Sequence, residues 1–128
     1  MSMRAIRFRA WDAVQEKMLP VEKIDFRNDV ISLDEGDNSE SDSSEMFILM
    51  QFTGLRDKNG IDIYEGDIVH LSSKDGLKER VTHVIWKEFR ASFALKFSPY
   101  ANNDLFHYVQ NGNVVEVVGN IYEDPIPV

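Results

Sequence analysis

Four small constellations in this chain hold side chains of the types that do chemistry. Glu65 and Asp67 flank Gly66, and two carboxylates two positions apart on a strand share a face, as an acid and base pair requires. The glycine between them points instead to a tight turn in which Asp67 accepts backbone hydrogen bonds, and that structural role is the favoured reading. Asp57-Lys58-Asn59-Gly60-Ile61-Asp62 is oxygen-rich like a calcium loop. Its glycine comes too early and no glutamate closes it, so an Asn-Gly hairpin turn, with Asn59 and Gly60 suited to positive φ, is favoured. His70, His83 and His107 are widely spaced with no carboxylate in a ligand pattern, which reads as ordinary strand or surface histidines rather than zinc ligands. Arg7, Arg9 and Trp11 alternate on one face of a strand with Arg4 nearby, placing cations for phosphate beside a ring for stacking.

Other chemistries are excluded by composition. The chain has 128 residues and no cysteine, which removes disulfides, thiolate metal sites and a cysteine nucleophile. No Gly-rich phosphate cradle, nucleophile elbow or dinucleotide fingerprint is present. The expectation is a noncatalytic protein with no catalytic residue, no cofactor, no metal and no small-molecule substrate.

The net charge of -8 is concentrated: residues 34–45, DEGDNSESDSSE, hold six acids and no base. Overall acidity argues against nonspecific binding to a phosphate backbone. The longest apolar run, residues 46–50, is far short of a membrane span, and the N-terminus is charged rather than signal-like, so a cytoplasmic protein with no membrane partner is expected.

The elements that must position these residues are mostly strands. Residues 4–11 alternate, with Ile6, Phe8 and Ala10 on one face, and residues 18–24 return as a second strand that Pro20 assigns to an edge or a bulge. Residues 30–33 form a further short strand. The acidic stretch 34–45 has no apolar residue to drive ordering and is read as a flexible loop. Residues 46–53 suit a buried strand or a short helix, which periodicity alone does not separate. Further strands are expected over 61–64, 68–71, 80–87, 91–97 and 114–118. Asn103 or Asp104 caps at most one short helix carrying Leu105, Tyr108 and Val109 and stopped by Asn111-Gly112. The sum is a single mainly β domain over 1–128: N-terminal strands in a hairpin or meander over 1–33, a flexible acidic loop over 34–45, and a turn-rich β part over 46–128 closing as a small SH3-like barrel.

Five motif blocks recur in family order: Phe8-Arg9-Ala10-Trp11-Asp12, Leu49-Met50-Gln51-Phe52-Thr53-Gly54-Leu55, Asp57-Lys58-Asn59-Gly60, Ile63-Tyr64-Glu65-Gly66-Asp67-Ile68-Val69, and Val117-Val118-Gly119-Asn120-Ile121-Tyr122-Glu123. Together they resemble the YopX family from the first strand to the C-terminus. The resemblance implies a mainly β protein encoded by a temperate phage or a prophage of a Gram-positive bacterium, acting in the host cytoplasm. It implies no catalytic residues.

Three functions compete. The leading expectation is an accessory protein acting through protein contacts, with a host or phage protein or as a homo-oligomer, through the aromatics Tyr64, Phe106, Tyr108 and Tyr122 and exposed strand edges. The alternative is a small β-barrel nucleic-acid binder using Arg4, Arg7, Arg9 and Trp11, against which stands pairing of those arginines with surplus acids. An enzyme is the third and least supported.

Overall fold

The computed structural model describes residues 4–97 and 104–124. It is mainly β with one short helix, and the chain divides into two compact units, Met1–Phe52 and Thr53–Val128. The division falls inside a strand rather than at the acidic stretch.

The first unit is an antiparallel sheet of β1 (Phe8–Asp12), β2 (Lys17–Asp25), β3 (Val30–Asp34), β4 (Ser39–Ser43) and the first half of β5 (Phe47–Arg56), hydrogen-bonded in the order β4-β3-β2-β1-β5. Residues 4–7 precede β1 as irregular chain, and Ile6 is exposed rather than paired with Phe8 and Ala10 on an inner face. The buried positions of β1 are Ala10 and Asp12. With Ile31, Leu33 and Phe47 fully buried and Leu19 and Val21 packed against them, Ala10 forms a small core. Because β2 lies between β1 and β3, Pro20 is not on an edge strand; the register irregularity comes just after it, between Val21 and Lys23. Residues 47–56 are strand, which settles the ambiguity left by periodicity.

The acidic stretch is a correction. Instead of a flexible loop over 34–45, β4 pairs with β3 residue by residue from Val30↔Ser43 to Asp34↔Ser39. The connecting turn is closed by Gly36 N–H donating to Asp34 Oδ1 at 2.8 Å and by Glu35 N–H donating to the Asn38 carbonyl at 2.9 Å. Serines then tie the strand down: Ser41 and Ser32 share a hydroxyl hydrogen bond of 2.7 Å, Ser39 donates to Glu22, and Ser44 donates to Asp29 at 2.7 Å. An edge strand needs little apolar burial of its own when β3 supplies Ile31 and Leu33 and the backbone supplies the pairing. Its acids sit where an unpaired strand edge most needs protection from edge-to-edge addition.

In the second unit, the later half of β5 is followed by β6 (Asp62–Tyr64), and a four-stranded antiparallel sheet runs β10-β7-β8-β9 with β7 (Asp67–Ser72), β8 (Glu79–Lys87), β9 (Ser92–Leu95) and β10 (Val114–Asn120). No pairing joins β9 to β10 among the described residues, so the sheet is open in strand order. Helix α1 (Leu105–Gln110) follows Asp104, stops at Asn111-Gly112, and buries Leu105, with Tyr108 and Val109 packed on the core. Asn103, the other expected cap, lies outside the described residues. Ile63, Val69, Leu71, Val84, Leu95, Leu105 and Val115 form that core, each such side chain stabilising the fold by roughly 1.5–3 kcal/mol through burial.

Candidate functional site

The residues singled out for chemistry turn out to fix the chain's turns. Asp57 is 8% exposed, and its Oδ1 accepts the N–H groups of Asn59 at 2.8 Å and Ile61 at 2.9 Å while its Oδ2 accepts that of Val117 at 2.9 Å. Gly60 N–H donates to the Asp57 carbonyl and Asp57 N–H to the Ile61 carbonyl, a hairpin in which Gly60 alone takes positive φ. Asn59 does not, contrary to the sequence expectation. Burial pushes the Asp57 carboxyl up, and the three backbone donors more than offset it, so its pKa lies below the ordinary value.

Asp67 is buried and its Oδ2 accepts the Tyr64 N–H at 2.8 Å, the turn role expected of it. Asp12 closes the β1–β2 turn in the same way, accepting Val14 N–H at 3.0 Å, Gln15 N–H at 3.3 Å and the Gln15 amide at 2.9 Å. At the end of β10, Asn120 Oδ1 accepts the Tyr122 and Glu123 N–H groups. Beside it, a Cβ at Gly119 would stand 2.5 Å from Asp124 Oδ2, so that any larger residue would displace the Asp124 side chain. Four of the five motif blocks thus carry a side chain that locks a turn, Asp12, Asp57, Asp67 and Asn120, while the block 49–55 lies in β5.

The arginine face is only partly assembled. Arg4 and Arg7 lie in the exposed irregular chain before β1, with the Arg7 guanidinium 4.6 Å above the Phe52 ring. Arg9 and Trp11 are half-buried on β1. Of the histidines, His70 faces Glu79 at 3.8 Å, His83 has its pKa lowered by burial and by Lys96, and His107 is exposed on α1. Among the described residues no group of three or more His, Cys, Asp or Glu is placed to hold a metal ion, and no helix is long and apolar enough to cross a membrane.

The four aromatics expected at an interface fare differently. Tyr108 packs on the core, where burial pushes its phenol up, while Tyr64 and Tyr122 are half-buried in β6 and in the turn after β10. Phe106 alone stands out, 60% exposed on α1. It lines a cleft of about 440 Å³ with Leu55, Phe93, Leu105 and His107. Trp86, 45% exposed, meets Phe93 edge to face with ring centres 5.1 Å apart. Trp86 and Phe93 are cross-strand partners on β8 and β9, a relation that the short connection between those strands held but that only the register reveals. A cleft of this kind offers aromatic area at low ordering cost, and Asp104, also in its lining, accepts a hydrogen bond from Ser92 Oγ at 2.8 Å.

Relatives agree with this architecture. Similarity is found to the crystal structure of protein EF1440 from Enterococcus faecalis, at 27% identity and a TM-score of 0.63, covering 96% of this chain and 97% of that one. The crystal structure of protein yopX from Bacillus subtilis is similar at 21% identity and a TM-score of 0.67 with the same coverage. No curated protein matches the chain. The model of the family described as YopX protein matches residues 7–126, and the chain belongs to the YopX family.

Proposed function

We propose that this protein works noncatalytically, as a phage or prophage accessory protein that acts through protein contacts. The observation supporting it is the pair Trp86 and Phe106, large apolar rings left in solvent on either side of the half-buried Phe93 and its cleft, while Asp12, Asp57 and Asp67 are engaged in turns. Exposed aromatic anchors of this type concentrate binding energy at protein interfaces. The partner is a second copy or another protein.

The test is the mass of the purified protein by light scattering, together with its co-purifying proteins, for wild type and for Trp86→Asp with Phe106→Asp. A discrete assembly lost in the double variant, with the thermal melt preserved, supports the reading. A monomeric wild type that retains no protein, or an assembly indifferent to the substitutions, sinks it.

A further inference from the structure

We propose that the groove beside the β7–β8 hairpin is a docking site for an acidic segment of a partner protein that carries an apolar anchor. The inference rests on reading the protein as an interaction module and adds the chemistry of what it takes.

The groove, about 630 Å³, has an apolar floor of Leu71, Phe97 and Tyr108, with Leu77 at its lip and Lys78 and Arg80 lining it. Its size is that of sites holding a few side chains. Leu77 is 83% exposed, unusual for a leucine in a turn that is otherwise fully tied. Leu77 N–H donates to Asp75 Oδ1 at 2.9 Å, Ser73 N–H to the Lys78 carbonyl at 2.8 Å, Lys78 N–H to Ser73 Oγ at 2.9 Å, and Lys74 N–H to Asn113 Oδ1 at 3.1 Å. A turn held this way presents its leucine and lysines with little ordering left to lose on binding.

Charge selects the occupant. In a chain with 22 acidic and 14 basic residues, Lys78 and Arg80 line this groove and Lys74 stands next to it, its N–H on Asn113 of the lining. Lys74 lays its stem across Gly112, its Cδ 3.2 Å from where a Cβ would stand. Arg80, an exposed residue, holds its guanidinium 4.6 Å over the Phe97 ring at the groove wall. Two acids stand beside these cations: Asp75 accepts from Ser73 Oγ at 2.6 Å and from Leu77, and Glu79, itself in the lining, lies 3.8 Å from His70, so three cations face two acids here. Cations over an apolar floor complement an acidic peptide with a buried anchor, and such charges steer encounter and orient the bound chain. The apolar floor and the exposed Leu77, rather than the net charge of -8 that opposes any polyanion at long range, favour a peptide with an apolar anchor over a nucleic acid in the same place.

The experiment uses fluorescence polarisation with a labelled nonapeptide of alternating Asp and Leu, its Ser-for-Asp counterpart and a labelled oligothymidylate, on the full chain. Saturable binding of the acidic peptide is expected, weakening as salt rises, at least about tenfold weaker for Lys78→Glu with Arg80→Glu, and several-fold weaker for Leu77→Ser, which removes an exposed side chain and no hydrogen bond. Circular dichroism of each variant confirms the fold. Absence of saturable binding, equal binding of the Ser-for-Asp peptide, or preference for oligothymidylate overturns the proposal. The two readings fail separately, since the assembly experiment reads the Phe106 cleft and this one reads a synthetic peptide in another groove.

Discussion

The Asp57 carboxylate accepts the Val117 N–H at 2.9 Å across sixty positions of sequence, and the neighbouring Lys58 N–H donates to the Val115 carbonyl at 3.0 Å. The β5–β6 turn thus occupies the backbone groups on the outer side of β10, blunting an edge strand with a side chain that also holds its own hairpin. Removing the carboxylate strands three N–H donors. Asp57→Ala is expected to lower stability by about 2–4 kcal/mol in urea unfolding, and Asp57→Asn by less, because its amide oxygen still accepts. Equal stability of Asp57→Ala and wild type would refute the edge-blocking role.

Acid sensitivity follows from the same groups. Asp57 has a depressed pKa, and so has Asp12, where burial pushes the carboxyl up and hydrogen bonds from Gln15 prevail. A carboxyl depressed on folding contributes stability above its unfolded pKa, near 3.8, and loses it as pH falls through the folded value. Stability is therefore expected to fall in that acid window, with a shallower fall in Asp57→Asn. Glu40 has the opposite sign: burial first, and then the adjoining Asp12 carboxylate, raise its pKa, so its ionised form disfavours the fold. Glu40→Gln should gain about 0.5 kcal/mol at pH 7 and nothing at pH 3, read by chemical unfolding at both pH values.

The acidic strand makes a sharper test than a loop would. Replacing residues 35–43 by a short Gly-Ser linker removes the pairing along β3 and uncovers the edge beside Ile31 and Leu33. A drop of about 5 °C or more in melting temperature is expected, with aggregation from the bared edge. An unchanged melt would return the stretch to the status of a loop.

Arg7 bears on the nucleic-acid alternative. With its guanidinium 4.6 Å over Phe52, Arg7→Glu should cost about 0.5–1 kcal/mol and leave the 260 to 280 nm absorbance ratio of the purified protein unaltered. Nucleic acid carried by wild type and lost in Arg7→Glu would reinstate the arginine face.

The sequence by itself determined what depends on neighbours along the chain: the mainly β character, the short helix after Asp104, the hairpin turn at 57–60, the turn role of Asp67, and the family, since turn chemistry and strand alternation are local signals. Tertiary structure decided what depends on partners far apart. The acidic run lacks every compositional mark of order, yet β3 offers it a ladder, and hydrogen bonding to a neighbouring strand cannot be read from composition. Asp57 reaches Val117, Arg80 meets Phe97 and Trp86 meets Phe93 only once register brings distant residues together, and so which aromatics stay in solvent and where the cations gather were settled by the fold.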